Sequence, residues 1–424
     1  MDKNPASLPP HFRWNFFAFL VDYICFGVAF SFASITTVMP ALATQLTDSA
    51  PLIGLVGTVF NGCWLLPQLA VARLINDKPR KKPYMIMGMS GRIMIGVIAL
   101  ALWAGLARQP MRMLVLYYAC LGLFTTTDGV ASVAWFDILA RAIPLKQRGR
   151  LIGLGQVISG LVGTGAGVLV GLILNQRPFP ANYALIFALA GAVLVPSALA
   201  MASVHEPPPE DPDPRTRGQA TDGWWSLLAT DRAFRGLTAC RLLVGMMGLA
   251  SSFYVAHAAD VLHLPHSIIG GFVVAQTLAG VVASVIMGLV SERWGSRYVT
   301  RIGAVAAALG PLFAIVAHLA GEGWLVQAYP FVYVTLGVVN SAWMLGFFNY
   351  LLEIAPDGMR PAYIGLSNTL MGILTLAPMA GGWLLEATSY PTLFGVTTAL
   401  TGAGFLFTLR LAPPQPATPA ENTP

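Results

Sequence analysis

Long apolar runs, separated by short polar turns, divide most of the chain into segments of membrane-spanning length. A transmembrane helix needs about 20 consecutive apolar residues. We predict twelve such helices, at 14–40, 52–75, 83–107, 111–139, 150–174, 181–203, 236–259, 267–290, 298–319, 324–352, 361–386 and 390–410. The pattern therefore predicts an all-α polytopic membrane protein with six helices in each half.

The stretch that follows the fourth apolar run returns after the tenth, 212 positions later. Five identities mark the repeat: Pro144, Arg148, Gly153, Leu154 and Gly160 recur as Pro356, Arg360, Gly365, Leu366 and Gly372. In the same register Asp128 is aligned with Asn340. Because self-similarity at a fixed offset sets the architecture, we predict two pseudo-symmetric six-helix bundles.

A segment at 204–235 separates the two predicted bundles, and its first part, 204–224, is proline-rich and charged. It is too polar to span a membrane, and it lacks the apolar residues that a packed core requires. We predict a cytoplasmic linker here, with a short interfacial helix over 225–235. The predicted domains are then an N-terminal bundle at 1–203 and a C-terminal bundle at 236–412, followed by a disordered tail at 413–424.

The composition and the placement of charge agree with a protein that lies in lipid. The chain is 56% hydrophobic and only 10% charged, whereas soluble domains carry about 25% charged residues. With the N-terminus inside, most lysines and arginines fall in cytoplasmic segments, and only Arg108, Arg112 and Arg177 fall in outer loops. The positive-inside rule therefore predicts a multi-pass inner-membrane protein with both termini in the cytoplasm, and explains the net charge of +6 without nucleic acid.

Motifs for chemistry are absent from the sequence. The four cysteines lie within apolar runs and lack CxxC spacing, so we expect neither a disulfide framework nor a metal site. There is no phosphate-binding loop, HExxH or GxSxG motif, and these are signatures of ATPases, metalloproteases and serine hydrolases. We therefore expect no cofactor and no enzymatic activity.

Polar residues within the predicted helices are the candidates for function, because an ionisable group in lipid is costly. Asp22 lies in the first helix, Asp128 and Trp135 in the fourth, Arg241 in the seventh and Asn340 in the tenth. Three roles for Asp128 stay open: a proton carrier, a binding group for a cationic or hydroxylated solute, or a structural partner of Arg92 or Arg241.

Other intramembrane groups have weaker patterns. Asp22 and Arg241 lie at similar depths in equivalent helices, which would allow an ion pair between the halves. For Arg92, in the third helix, we favour a structural role. For His257 and Asp260, near the outer end of the seventh helix, we favour a hydrated helix end over an outer gate.

The fifth apolar run carries a small residue at every fourth position. These residues are Gly155, Ser159, Gly163, Gly167 and Gly171. Small residues on one face of a membrane helix allow another helix to approach closely. We therefore predict a close helix contact along this stripe.

Two polar turns carry a resemblance to a known family. The turn GLVSERWGSR, Gly288–Arg297, resembles the loop signature of the major facilitator superfamily, and ARLINDKPRKK, Ala72–Lys82, resembles a degenerate copy of it. The Pro-x-x-x-Arg turns after the fourth and tenth helices are similar to that superfamily as well. The resemblance implies a central cavity lined by the first and fourth helices of each half.

The resemblance also implies a cytoplasmic gate between the halves. One predicted set places Glu292, Arg293 and Arg297 opposite Arg148 and Arg150. The mirror set places Asp77 and Arg80 opposite Arg360. The alternative is ordinary positive-inside charge without a gating role, since exposed ion pairs contribute only about 0–1 kcal/mol.

Together these patterns predict a secondary active transporter that moves a small organic solute by alternating access. We expect coupling to protons or another ion, contact with the lipid bilayer, no nucleic-acid partner and a monomeric state. Between Arg112 at its outer end and Arg141 at its cytoplasmic end the fourth helix has no arginine, which argues against a drug/proton antiporter. The alternative is a non-transporting membrane protein of the same fold, such as a sensor or an assembly factor.

Overall fold

The computed structural model describes residues 10–411, apart from 76, 77, 79, 209–227, 229 and 356–359. Within the described residues, twelve helices are long and apolar enough to span a membrane. The first half holds α1 to α6, in order Phe12–Phe32, Ala50–Gln68, Lys82–Trp103, Pro110–Ala142, Gln147–Gln176 and Ala181–Ser203. The second half holds α7 to α12, in order Arg232–Asp260, Ile268–Trp294, Ser296–Ala320, Trp324–Ile354, Tyr363–Ala387 and Tyr390–Leu409.

The prediction of an all-α membrane protein with two pseudo-symmetric six-helix bundles is confirmed. Helical structure extends beyond three of the spans, since α2 continues to Ile75, α5 begins at Leu145 and α11 begins at Arg360. Between the halves, α2 packs against α11 and α5 packs against α8. The repeat exchanges these two contacts with each other, as a two-fold relation requires. The domain boundaries at 1–203 and 236–412 stay a prediction.

The first helix is shorter than predicted. It ends at Phe32 rather than at residue 40, and a separate short helix follows at Val38–Thr44. Hydroxyl side chains explain the break, because the Ser34 and Thr36 hydroxyls bond to each other at 3.3 Å, and Thr36 donates to Gln276 of α8 at 2.7 Å. Such side-chain bonds compete with helical geometry.

The predicted interfacial helix over 225–235 is wrong at its C-terminal end. Residues 232–235 already belong to α7, because Asp231 caps that helix by accepting from the backbone N–H groups of Ala233 and Phe234 at 2.8 and 3.0 Å. An aspartate at this position satisfies otherwise unpaired donors of the first turn. Most of the predicted linker that precedes α7 lies outside the described residues, and so does the predicted tail at 413–424.

Four spans lose regular α-helical geometry part-way through the membrane. Helix α3 contains a 3₁₀ turn at Ser90–Arg92, and α10 contains a π-helical segment at Trp343–Phe348. Helix α11 contains a 3₁₀ segment at Gly372–Leu376, and α7 is interrupted after Gly245. In membrane proteins such irregular backbone is tolerated where it is buried in protein or lines a cavity. These segments therefore point to the functional region.

The two halves touch at the face opposite the chain termini. We call the face where α1 begins and α12 ends the basic face, because it carries Arg13, Arg141 and Arg410, and we call the other the opposite face. Near the opposite face, a Cβ on Gly167 of α5 would lie 3.1 Å from the carbonyl oxygen of Gly270 in α8. The glycine stripe of α5 thus allows the predicted close approach, to α8 at Gly167 and Gly171 and to α1 at Gly155 and Gly163.

Toward the basic face the same two helices separate. Their last polar contact is a bond from the Gln156 amide to the Ser284 hydroxyl at 2.8 Å. Beyond it, a Cβ on Gly149, Gly153 or Gly288 would meet no described atom within 4 Å. The space between the halves is therefore closed at the opposite face and open at the basic face.

Candidate functional site

Three buried charged residues of the first half form one cluster, which we call the acid–arginine cluster. The Arg92 Nη1 lies 3.0 Å from the Asp22 Oδ1, and the Arg92 Nη2 lies 3.4 Å from the Asp128 Oδ1. Asp22, Arg92 and Asp128 are only 4%, 7% and 8% exposed. Burial to this degree makes each charge depend on its partners.

The two carboxylates of the cluster differ in their neighbours. Asp22 also accepts from the Ser197 hydroxyl at 2.5 Å and from the Trp135 indole at 2.9 Å, and Ser197 in turn accepts from Arg92. Asp128 has the longer contact with Arg92 and a hydrogen bond with the Trp64 side chain. Asp22 is thus held by three donors, and Asp128 by two.

The cluster has an excess of one acid. When all three groups are ionised, two carboxylates face a single guanidinium, and the cluster carries one net negative charge. A buried net charge is unfavourable in a region of low dielectric. Binding of one proton or of one cationic group would therefore neutralise the cluster.

The cluster lines a cavity of about 570 Å³ in the first half. A second cavity of about 380 Å³ lies between the halves. Phe60, Asn61 and Trp64 line both cavities, so the two are neighbours across one wall. Cavities of about 300–1,000 Å³ are typical of small-molecule sites.

The second half contributes the opposite wall. Asn340 is exposed and lines the cavity between the halves, together with Trp343 of the π-helical segment. Arg241 lies one turn of α7 from Gly245, which also lines this cavity. The Arg241 guanidinium donates to the Ser367 hydroxyl at 2.5 Å and lies 5.5 Å from the centre of the Trp343 ring.

The expected ion pair between Asp22 and Arg241 is not formed. Asp22 pairs with Arg92, which reaches it from α3, and Arg241 contacts residues of its own half. The predicted structural role of Arg92 agrees with these contacts. The halves are apart toward the basic face, which leaves Asp22 and Arg241 on separate walls.

Comparison with known proteins identifies the family. The sequence profile of the Major Facilitator Superfamily matches residues 23–376 of this chain. The chain belongs to the Major Facilitator Superfamily. Membership, together with the twelve apolar helices, makes the chain a multi-pass membrane protein.

Solved structures agree at the level of the fold. The nucleoside transporter NupG is 12% identical with a TM-score of 0.67, covering 94% of this chain and all of NupG. A bacterial homologue of the iron transporter ferroportin in its inward-facing state is 14% identical with a TM-score of 0.67, covering 93% and 98%. A D-xylose–proton symporter is 15% identical with a TM-score of 0.67, covering 94% and 98%.

Curated relatives by sequence are more limited. An uncharacterized protein of Mycobacterium tuberculosis is 23% identical over 293 residues, and the match spans 68% of this chain and 56% of that protein. A protein of Mycobacterium bovis, also uncharacterized, matches to the same extent. This member of the superfamily therefore spans little more than half the length of the curated relatives it matches.

The predicted gate residues of this superfamily member are not joined in this conformation. Glu292, Arg293 and Arg150 are exposed, and no ion pair of Glu292 with Arg148 or Arg150 is formed among the described residues. Arg148 instead donates to the carbonyl oxygen of Ile143 at 2.8 Å.

The remaining gate candidates are placed as follows. Arg297 lies 5.0 Å from the centre of the Tyr298 ring, and Arg80 is exposed. Asp77 lies outside the described residues, and for Arg360 only the start of its helix is described.

An ion-pair network at the basic face was not predicted. Lys81 and Arg141 both pair with Asp137, at 2.7 and 2.6 Å, and Arg141 also pairs with Glu206 at 2.9 Å. The Glu206 carboxylate further accepts from the backbone N–H groups of Lys81 and Lys82 at 2.7 and 3.1 Å. The network joins the turn after α2, the end of α4 and the first residues after α6.

The prediction of a hydrated helix end at His257 is wrong. This side chain is fully buried, with Nδ1 2.9 Å from the Tyr329 hydroxyl and Nε2 3.0 Å from Nδ1 of His318. Two aromatic residues of α12, Tyr390 and Phe394, pack against its ring and help to exclude water. Among the described residues, no group of three or more His, Cys, Asp or Glu is arranged to hold a metal ion.

Proposed function

We propose that this protein is a secondary active transporter that moves a small organic solute across the cytoplasmic membrane by alternating access. The two bundles, at 1–203 and 236–412, would move against each other around a central site. Both termini and the basic face lie in the cytoplasm in this proposal, because basic residues favour the cytoplasmic side. The protein would act as a monomer.

The observation that carries the proposal is the cavity between the halves, closed at the opposite face and open at the basic face. With the basic face in the cytoplasm, this arrangement corresponds to an inward-open state. Alternating access then requires a second state, in which the contact of Gly167 with Gly270 opens and the basic face closes.

We assign proton coupling to Asp128. Asp22 accepts three hydrogen bonds, including a contact of 3.0 Å from Arg92, whereas Asp128 lies 3.4 Å from the same guanidinium. The carboxylate with fewer donors loses less when it takes up a proton. One proton on Asp128 would leave Asp22 and Arg92 as a neutral pair.

Closure of the basic face would bring the gate residues together. Glu292 at the end of α8 would pair with Arg150 near the start of α5, while Arg148 stays bound to its own turn. The mirror set, Asp77 and Arg80 with Arg360, would close the other side of the same face. Exposed pairs of this kind are weak individually, which suits a gate that must reopen.

A non-transporting protein of the same fold is the alternative. Such a protein would have its buried charges paired and its centre filled with side chains. Here the charges are paired, but Asp128 lines a cavity of about 570 Å³ and a second cavity adjoins it. The cavity favours a transporter.

Transport into proteoliposomes that contain the pH dye pyranine tests the proposal. The solutes are glycine, lactate, succinate, inorganic phosphate, xylose and uridine, each also supplied in radiolabelled form. We expect at least one to enter together with protons. Asp128→Asn should abolish the proton flux but retain exchange of labelled for unlabelled solute, because an amide resembles the protonated carboxyl group.

Glu322→Gln, at an exposed acid near the opposite face, is the control and should behave as the wild type. Proton flux that persists in Asp128→Asn would remove Asp128 as the carrier. Absence of flux and exchange for all six solutes, with correctly folded protein, would favour the non-transporting alternative.

A further inference from the structure

Arg241 is a buried cation without an acidic partner. It is 7% exposed, and among the described residues no carboxylate lies within ion-pair distance of its guanidinium. One hydrogen bond is made to the neutral Ser367 hydroxyl, and within the described part of the chain Nε has no hydrogen-bond partner. A guanidinium has five N–H donors, so much of its binding capacity is unused.

Arg92 provides an internal comparison. Both arginines are 7% exposed, and both lie over an aromatic ring, Phe26 for Arg92 and Trp343 for Arg241. Arg92 is paired with two carboxylates of its own half, whereas no carboxylate among the described residues pairs with Arg241. The buried charges of the two halves therefore differ: the acid–arginine cluster of the first half has one acid in excess, and Arg241 of the second half is a buried base without an acid.

A cation–π contact and one hydroxyl group do not replace an anion. Removing a guanidinium from water is strongly unfavourable unless an opposite charge or several hydrogen bonds compensate for it. The burial of Arg241 in this state is therefore explained best if an anion joins it during the working cycle.

The surroundings of Arg241 belong to the central cavity. On its own helix, Gly245, Gly248 and Ser252 continue the same face and line the cavity between the halves. On α10, the Trp343 ring lies against the guanidinium and also lines this cavity.

The three helices around Arg241 all have irregular backbone at this level. Helix α7 is interrupted after Gly245, α10 is π-helical from Trp343, and α11 is 3₁₀-helical from Gly372. Interrupted helices mark solute sites in many transporters, and π-helical segments occur frequently at functional sites.

We propose that Arg241 binds the anionic group, a carboxylate or a phosphate, of the transported solute. The inference rests on the proposed transport function and adds the substrate class. The free Nε allows a two-point contact with two oxygens of one anionic group, the geometry that makes arginine effective for carboxylates and phosphates. The neutral polar groups of Asn61, Gln276 and Asn340 line the cavity that adjoins Arg241 and suit the remainder of a small organic molecule.

The first test uses the wild-type protein in detergent and does not depend on transport. Phenylglyoxal modifies arginines that it can reach, and mass spectrometry after a long incubation reports the modified fraction of the 7% exposed Arg241. An Arg241 that is never modified would overturn the proposal, because an anionic solute could not reach it either. Lactate, succinate and inorganic phosphate are the probes. Lactamide and succinamide are the neutral counterparts of the two carboxylates. We expect at least one anion to slow the modification of Arg241 at least fivefold, and neither amide to do so. Arg112, which is exposed, should react equally in all samples.

The second test measures uptake of the same compounds into proteoliposomes. Arg241→Gln should lower anion uptake at least tenfold, and Arg241→Lys should retain part of it, since a lysine keeps the charge but loses the planar two-point contact. Arg112→Gln is the matched control and should transport as the wild type. Because the protection experiment needs no variant, misfolding of Arg241→Gln would not remove the test.

The outcomes separate the two proposals. Unchanged modification of Arg241 with all three anions would overturn the anion assignment. If the neutral amides are taken up, and Arg241→Gln does not lower their uptake, the anion assignment would also be overturned. The proposed transport function would then stand. If no compound is transported but an anion protects Arg241, the anion site stands and the transport function fails.

Discussion

Gly167 of α5 and Gly270 of α8 pack backbone against backbone, so that a Cβ on Gly270 would lie 2.5 Å from the Gly167 carbonyl oxygen. Such a distance leaves no room for a side chain. The contact joins the two halves near the opposite face, and it holds that face closed in this conformation. The contact therefore offers a direct way to change which face is open.

Gly270→Val should prevent closure of the opposite face. We expect at least a tenfold loss of transport rate, because the inward-open state is no longer reached. When Thr36→Cys is introduced into a variant without the four native cysteines, Gly270→Val should also make position 36 more reactive toward an impermeant maleimide added from the opposite face. Thr36 now bonds Gln276 across the halves at 2.7 Å, within the closed region.

Gly271→Val is the matched control for this experiment, because a Cβ on Gly271 meets no described atom within 4 Å. Gly271→Val should leave the transport rate and the rate of maleimide reaction at position 36 within about twofold of the values without it. Equal transport by both valine variants would contradict the role given to the glycine contact.

Arg92→Gln should destabilise the protein strongly. It leaves Asp22 and Asp128 buried without their cation, and removal of one member of a buried ion pair typically costs about 3–5 kcal/mol. The free energy of unfolding, measured by denaturant titration in detergent, should fall by that amount. Arg112→Gln, at an exposed arginine, should change it by less than about 0.5 kcal/mol.

The double variant Asp22→Asn with Arg92→Gln should recover part of this loss, since it removes one of the two unpaired acids. A double variant that is less stable than Arg92→Gln would contradict this. It would show that the hydrogen bonds Asp22 accepts from Ser197 and Trp135 affect the stability more than its unpaired charge does.

Charge reversal tests the predicted pair of Glu292 and Arg150. Glu292→Arg or Arg150→Glu alone should slow transport severalfold, because like charges oppose closure of the basic face. The double reversal should restore most of the wild-type rate. The initial rate of solute exchange in proteoliposomes is the measurement, and Glu322→Arg at the opposite face is the control.

A double reversal that is as slow as either single reversal would contradict this pairing. Because salt screens exposed charges, the effect of each single variant should also shrink at high ionic strength. An effect that does not depend on salt would indicate a structural cause.

Glu206→Ala should loosen the turn before α3. The Glu206 carboxylate accepts from the backbone N–H groups of Lys81 and Lys82 and pairs with Arg141. Hydrogen–deuterium exchange of the peptide over 80–86 should become at least tenfold faster in the variant. Glu386→Ala, at an exposed acid near the opposite face, should leave that exchange unchanged, and unchanged exchange in Glu206→Ala would contradict the role of the network.

The twelve-helix fold was predictable because the length of an apolar run and the spacing of a repeat can be read directly from the sequence, without knowledge of any side-chain contact. The start of α7 was less predictable, since the polarity of residues 225–235 suits an interfacial helix as well as a capped helix start. Asp231 distinguishes the two only through its bonds to the first turn.

The partners of the buried charges were not predictable from the same pattern. Asp22 and Arg241 were matched by depth alone, but partner choice depends on how each helix is rotated about its axis. Asp22 and Asp128, the partners of Arg92, lie 70 and 36 positions away from it along the chain. Ser197, from α6, completes the contact and had no distinguishing pattern in the sequence.

The contacts of Glu206, which lies in the predicted linker, were not predictable either. Its surroundings are rich in proline and charge, which is typical of disordered segments. Its contacts come from the turn before α3 and from the end of α4, both distant in sequence, so no local pattern revealed them. The π-helical segment at Trp343 likewise has no sequence signature, because it depends on how α10 packs.

The single excess acid in the acid–arginine cluster sets a limit on the driving force. One excess acid takes up one proton, and a monovalent anion on Arg241 would balance it, so that a complete cycle transfers no net charge. The membrane potential, worth about 2.3 kcal/mol per charge at 100 mV, would then contribute nothing. A difference of one pH unit is worth about 1.4 kcal/mol, so the solute would accumulate about tenfold per pH unit and no further.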